Sequence, residues 1–530
     1  MVRWVFVTGG VLSGLGKGMV SASVSRLLQA NGYDVVPVKC DGYLNVDPGT
    51  MNPHEHGEVF VLDDGGEVDM DFGHYERFLN TDAKFDWNLT SGKVFQSVID
   101  QERDGDYLGR TVQMVPHVTD EIKDRFRRIA DEEDADVVSI EIGGTVGDIE
   151  NMIFLEAVRQ LRHEEDQSVL IHTTLVPYLD TVGEQKTKPT QHSVKELERA
   201  GLQPDIIVGR SDNELEQDVK EKIALFCDVE TDAVISDPDL DTVYRLPLVL
   251  QEEGLDRQVL DRLSLPAQEE DMEQWRELVD RLHSPSDTVS VALAGKYTEI
   301  DDSYVSINEA VKHAGAHLDT GVTVDQVETT DIEAGETAPG DALAGYDGVI
   351  IGPGFGERGA EGKIRVAEYC RTNDIPTLGI CFGLQMMIAE YARNVAGLEG
   401  ANSTEIDEDT PHPVVDTLPG QVDVDRKGGT MRLGGYTAQL LDGTQVQELY
   451  GQGEAVERHR HRYEVNPDYH DVLQQHGLVF AGTSQDGTLV EYIELEDHPF
   501  YVGTQAHPEF TSRLEDPNPL YTGFIDAVLD

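Results

Sequence analysis

Thr377-Leu-Gly-Ile-Cys381-Phe-Gly-Leu-Gln-Met-Met-Ile-Ala-Glu-Tyr-Ala392 decides how the second half of this chain folds. An apolar run ends in Gly379-Ile-Cys381-Phe-Gly383, and apolar residues at helical spacing follow. That pattern predicts a strand, a tight turn and a helix. The turn lifts the Cys381 sulfur out of the sheet and the helix aims its positive end at it, the arrangement of a nucleophile elbow. A cysteine taken at random is more often plain core, but turn glycines on both sides argue for the nucleophile. Far downstream, Val502-Gly-Thr-Gln-Ala-His507-Pro-Glu509-Phe510 supplies a base. His507 and Glu509 stand two apart in an extended segment, so both face one side and the carboxylate fixes the imidazole tautomer. Cys381, His507 and Glu509 are the expected catalytic triad.

The chain has 530 residues, more than one core organises, and suggests two or three domains. Its 101 acidic residues against 41 basic ones leave a formal charge of −60. Such a surface repels nucleic acid. The acids are scattered in short clusters such as Asp131-Glu-Glu-Asp134, Glu164-Glu-Asp166 and Glu269-Glu-Asp271. This points to a halophilic setting, where concentrated salt shortens screening to ~3 Å at 1 M. Cys40, Cys227, Cys370 and Cys381 are far apart, which suggests neither disulfides nor a zinc cluster and fits a reducing cytoplasm. No run approaches the ~20 apolar residues of a membrane span, and a soluble protein is expected.

Near the start, Trp-Val-Phe-Val (residues 4–7) reads as a buried strand. Thr8-Gly-Gly-Val-Leu-Ser13-Gly-Leu-Gly16-Lys17-Gly18-Met-Val follows as a glycine-rich turn into a helix over 20–30. Backbone N–H groups of such a loop cradle phosphates, and Lys17 adds a point charge. The motif is not a strict Walker loop: Gly10 sits one residue too far back, and Gly18 replaces the usual magnesium-holding Ser or Thr. Carboxylates elsewhere must then hold the metal. One candidate is Glu141, at the end of the strand Val137-Val-Ser-Ile140, where parallel sheets place ligands. The other is Asp71, in Asp69-Met-Asp71-Phe-Gly-His74-Tyr-Glu-Arg77. Lys186 and Lys188 beside a proline-stiffened turn, with Lys222, are basic positions a triphosphate would explain.

The triad residues resemble the class I glutamine amidotransferases, which release ammonia from glutamine through a thioester. The glycine loop is similar to that of dethiobiotin-synthetase-like enzymes, and nearly the whole chain resembles the CTP synthase family. The resemblance implies ATP-dependent amination of UTP to CTP: the 4-oxygen of UTP is phosphorylated and then displaced by ammonia channelled from the glutaminase site, or by free ammonia. It implies that Gly14, Leu15, Gly16, Lys17, Gly18, Met19, Asp71, Pro238, Asp239 and Leu240 hold ATP, with Mg2+ on Asp71 and Glu141. It implies UTP, and the feedback inhibitor CTP, on Ser13, Asp148, Ile149, Glu150, Lys186, Thr187, Lys188, Pro189, Thr190, Gln191 and Lys222. Glutamine is implied at Gly354, Phe382, Gly383, Leu384, Gln385, Glu405 and Arg462. GTP activation is implied near Arg358, and a cytoplasmic homotetramer is implied as the assembly.

Three positions depart from many relatives: Gly42 for proline, Pro238 for lysine, and Gly352-Pro353-Gly354 where Pro-Gly-Gly is usual. Pro353 has no N–H, so the oxyanion donors expected beside Cys381 are those of Gly354 and Phe382. The nearest rivals are a cobyrinate-type or dethiobiotin-like amidase, which gives no reason for the 186–191 cluster, and a regulatory protein with a spent triad.

The expected fold is α/β throughout. A P-loop-like parallel sheet forms an amidoligase domain over 1–266, a linker covers 267–287, and a flavodoxin-like class I glutaminase domain covers 288–530. Met272, Trp275, Leu278, Val279 and Leu282, at helical spacing, predict a linker helix packed on a neighbour.

Overall fold

A computed structural model describes the chain except residues 1, 50, 52–56, 182, 269–270, 297–303 and 418–430. Glu269 and Glu270 of the linker therefore lie outside the described residues. Contacts divide the chain into two compact units, one of residues 1–47 and 74–279, the other of 48–73 and 280–530.

The first unit is built on a seven-stranded parallel sheet in the order Val234–Pro238, Ile206–Ser211, Ser168–Leu175, Arg3–Gly9, Val137–Ile142, Val35–Asp41, Asn88–Thr90. Helices cover such a sheet on both faces, so its strands are near-continuous apolar runs, and Val5, Phe6 and Val7 are fully buried. The central strand Arg3–Gly9 runs into the glycine loop. The helix after it spans Lys17–Ala30, beginning ahead of the expected Val20.

The linker helix forms as Glu273–His283, and its residues through Val279 belong to the first unit. The Trp275 ring is fully buried, 5.3 Å from Phe78 and 5.9 Å from Tyr244, with the Arg26 guanidinium 5.0 Å over its face. Its Nε1 donates to the Tyr244 carbonyl at 2.8 Å.

In the second unit, five parallel strands lie in the order Thr320–Glu328, Asp287–Gly295, Gly348–Ile351, Thr377–Ile380, Tyr501–Thr504. Counted along the chain this is 2-1-3-4-5, the flavodoxin-like order. Val490–Glu494, Val479–Ser484, Arg432–Leu440 and Glu454–His461 extend the sheet antiparallel. Apolar clusters fill both faces, one around the helix Phe382–Asn394 and the other beneath the C-terminal helix Pro519–Leu529.

Residues 48–73 depart from the expected 1–266 domain and pack with the second unit. A short hairpin, Phe60–Val61 with Glu67–Val68, carries them there. Gly435 N–H donates to the Asp63 carbonyl at 2.8 Å, Arg460 Nε pairs with Glu67 Oε1 at 2.8 Å, and Phe60 sits edge-on to Phe510. A Cβ on Gly435 would lie 2.1 Å from Asp63 Oδ1. Sequence periodicity cannot reveal that docking, because its partners lie hundreds of residues downstream. Among the described residues no helix is long and apolar enough to cross a membrane.

Trp275→Ala removes a large buried ring and leaves a cavity, so it should cost about 3–5 kcal/mol in urea unfolding. A loss under about 1 kcal/mol would show that this ring does not hold the helix in place.

Candidate functional site

In the first unit the chain leaves the strand at Gly9, where a Cβ would lie 2.5 Å from Lys17 Cδ. The missing side chain makes room for the lysine stem, and Lys17 is nearly buried. Gly14 and Gly16 adopt φ of 77° and 83° with open space around them, so they serve backbone conformation rather than packing. Gly10 serves packing instead, since its Cβ would fall 1.6 Å from Ser193 Oγ. Behind the loop, fully buried His172 bridges Thr8 Oγ1 at 2.9 Å and Ser193 Oγ at 2.7 Å. Burial, with a contribution from Lys17, pushes His172 down to about 3, so it is a neutral strut.

A cavity of about 140 Å3 lies against this loop, lined by Gly14, Leu15, Gly16, Met19, Arg210, Asp237, Leu240, Val243 and Leu246. Five of the residues expected at ATP meet here. Lys17, Gly18, Asp71, Pro238 and Asp239 are not in the lining, and Asp239 accepts from Arg210 Nη2 at 2.5 Å. Arg210 and Asp237 were not anticipated. Arg210 donates to Asp237 Oδ1 at 3.1 Å, and burial pushes the Asp237 carboxyl up to about 6 against that pull.

Glu141 is buried at its strand end, where Lys39 Nζ reaches Oε1 at 3.1 Å and the Tyr75 hydroxyl donates to Oε2. Tyr75 lies inside the quoted Asp69–Arg77 stretch but was not read as a site residue, and neither was Lys39. Asp71 opens the helix Asp71–Leu79, with its own N–H on Asp69 Oδ1 at 3.0 Å.

The expected uridine-nucleotide residues form two groups. Asp148, Ile149 and Glu150 sit on an exposed loop: Asp148 Oδ2 accepts from Thr145 N–H, and Ile149 is 87% exposed. Gly42 closes against this loop, since a Cβ there would lie 2.7 Å from Glu150 Cβ. In the other group, Lys186 Nζ pairs with Glu184 Oε2 at 2.6 Å, and Lys222 adds to the pull that keeps Glu184 below the usual carboxylate range. The helix Lys188–Arg199 begins with Pro189 in its first turn, Lys188 donates to Gln191 Oε1, and Gln191 donates to Thr187 Oγ1. Thr190 is buried with its hydroxyl on the Leu175 carbonyl, while Ser13 is exposed.

In the second unit, Cys381 occupies the bend between strand and helix with φ 51° and ψ −102°. The strained conformation belongs to the cysteine rather than to the flanking glycines, neither of which has positive φ. Gly379 and Gly383 are required for space: a Cβ on the first would meet Met387 Sδ at 2.2 Å, and on the second the Ile351 carbonyl oxygen at 2.0 Å. Cys381 N–H donates to the Thr504 carbonyl at 2.7 Å, and Gln505 Nε2 reaches Sγ at 3.6 Å.

His507 Nδ1 and Glu509 Oε1 are 2.7 Å apart, and the imidazole stacks on Phe510. The other ring nitrogen, Nε2, is buried with no hydrogen-bond partner among the described residues. Burial works against a charged imidazole, but the Glu509 carboxylate and Cys381 sulfur outweigh it and push His507 up to about 10. A cavity of about 300 Å3 opens here, lined among others by Glu58, Tyr304, Gly354, Arg460, His507 and Glu509. Glu405 Oε1 accepts from Gly356 N–H at 2.7 Å; burial raises its carboxyl, and Lys296 and Arg462 pull the other way.

Phe382, Gly383, Leu384 and Gln385, expected at glutamine, are all buried outside that lining. Leu384 belongs to the apolar core, and Gln385 Nε2 binds the Tyr463 carbonyl and Gln505 Oε1. Glu58, Tyr304 and Gln505 carried no motif of their own and were missed.

Residues 3–265 match the family described as CTP synthase N-terminus, and residues 299–527 match glutamine amidotransferase class-I. A CTP synthase of Caldanaerobacter subterraneus is 52% identical over 100% of this chain and 99% of its own length. One from Thermococcus gammatolerans is 53% identical over 99% of this chain and 98% of its own. One from Natronomonas pharaonis is 54% identical over 100% and 95% respectively.

His172 generates a pH dependence with a definite sign. Its folded value of about 3 lies below the ~6.5 of the unfolded chain, which therefore binds an extra proton between the two. Stability from this group falls on acidification through that window. The stability lead of the wild-type chain over His172→Asn should therefore be smaller at pH 5 than at pH 7 in urea unfolding; a lead independent of pH would show that folding leaves the imidazole's pKa unshifted.

Proposed function

The chain belongs to the CTP synthase family, and from that premise we propose how its two units carry out the ATP-dependent amination of UTP to CTP with glutamine nitrogen. The observation that supports the division of labour is that one chain holds both a glycine loop with Lys17 at its helix and a Cys381 elbow with the His507–Glu509 pair.

In the second unit the Cys381 sulfur attacks the side-chain amide carbon of glutamine. The developing oxyanion is met by N–H groups at Gly354 and Phe382. The carbon–nitrogen bond breaks as His507 hands a proton to the departing nitrogen, and the shift of His507 toward 10 suits a ring that holds that proton. Water then cleaves the thioester to glutamate. Glu405 and Arg462 are the groups suited to the charged end of glutamine.

In the first unit the glycine loop and Lys17 hold ATP so that its terminal phosphoryl group moves to the 4-oxygen of UTP. Ammonia adds at C4 and phosphate leaves, giving CTP and ADP. The family uses Mg2+, and the donor set fits it. Buried Glu141 at its strand end supplies one carboxylate, and magnesium takes one or two and completes its shell with phosphate oxygens and water. Glu141 would hold the ion, whose charge offsets that of the phosphates. Lys186, Lys188 and Lys222 suit the triphosphate of UTP, with CTP as inhibitor overlapping them.

GTP as activator near Arg358 and a cytoplasmic location rest on family membership alone. A homotetramer rests on the same ground. A working environment of concentrated salt is supported by the net charge of −60.

Cys381→Ala should lower glutamine-dependent CTP formation about 10⁴-fold or more while ammonia-dependent formation persists. Equal loss of both, or ATP turnover that UTP does not elicit, would contradict this scheme.

A further inference from the structure

Lys363 is 1% exposed, in the first turn of the helix Ala360–Thr372, and among the described residues it forms no ion pair. Burying an unpaired ammonium is costly. Burial and nearby Lys296 push it down to about 7. Its Nζ is spent entirely on one loop: it donates to the Gly352 carbonyl and, at 3.1 Å, to the Pro353 carbonyl, 5.3 Å over the Phe382 ring. From the other side Lys296 Nζ donates to the Phe355 carbonyl. Gly354 lies between the two lysines, where a Cβ would be 3.6 Å from Lys296 Cε and 3.8 Å from Lys363 Nζ.

The peptide joining Pro353 to Gly354 is planar and trans, so its C=O and N–H point in opposite directions. A lysine that holds the Pro353 oxygen therefore holds the Gly354 N–H on the opposite side. Gly354 lines the cavity that also holds His507 and Glu509. Were this peptide to turn over, a carbonyl oxygen would replace the donor and repel a negative oxygen. Pro353 leaves the preceding peptide without an N–H to substitute.

We propose that Lys363 is a positioning residue for glutamine hydrolysis, holding the Pro353–Gly354 peptide in the one orientation that presents an N–H to the oxyanion. The inference rests on the proposed role of Cys381 and deepens it.

The test is Lys363→Met in the full-length chain, which keeps the apolar stem and removes the donor. The kcat for glutamine hydrolysis should fall about 10²-fold, the loss expected for one oxyanion donor, with KM little changed. Ammonia-dependent CTP formation should persist. Glutamate γ-semialdehyde, whose aldehyde carbon accepts the cysteine sulfur while its oxygen takes the negative charge, should inhibit more weakly by a similar factor. Pro353→Gly combined with Lys363→Met should lose less than the product of the single losses, because both act on one peptide. An unchanged kcat, a loss confined to KM, full semialdehyde affinity, strict multiplicativity of the two losses, or failure of the variant to fold would each overturn the proposal. If Cys381→Ala abolishes glutamine use and Lys363→Met does not impair it, this inference alone fails. If Cys381→Ala retains glutamine use, the reading beneath it fails as well.

Discussion

The backbone at Cys381 has almost no room, and the second unit is arranged around that crowding. The cysteine takes a conformation at positive φ that an L-residue adopts only when its surroundings enforce it. The enforcement comes from both sides, since Gly379 lies against Met387 and Gly383 against the Ile351 carbonyl. The helix can therefore approach the parallel sheet closely enough for the N–H of Cys381 to reach Thr504 on the neighbouring strand. That same strand leads directly to Gln505, His507 and Glu509, so closing the bend also brings the base near the sulfur.

Charge is organised on the opposite principle from composition. Acids outnumber bases across the chain, yet lysines collect at a few points: Lys17 at the glycine loop, Lys39 on Glu141, Lys186 and Lys222 around Glu184. Lys296 and Lys363 differ from these because they turn inward and bind carbonyl oxygens. In a buried setting a lysine serves as an orienting donor, and its charge becomes the cost of that service.

The glycine-rich loop shows how one residue type answers different demands within a few positions. Gly14 and Gly16 supply left-handed backbone, Gly9 gives passage to a lysine stem, and Gly10 lets Ser193 and His172 press against the loop from behind. The first two demands are local. A reading of the loop by itself assigns all four to the turn, whereas Gly10 answers to neighbours far along the chain.

The elbow, the pairing of His507 with Glu509 and the glycine loop were legible in the sequence, because each depends on periodicity or on residues a few positions apart. The docking of residues 48–73 on the second unit, the grip of Lys39 and Tyr75 on Glu141, and the two lysines behind Gly354 were not. Each joins side chains from separate elements, and only packing sets such distances. Pro353 illustrates the boundary: its identity alone removes one oxyanion donor, but which way the next N–H faces is decided by Lys363, a side chain delivered from a different helix.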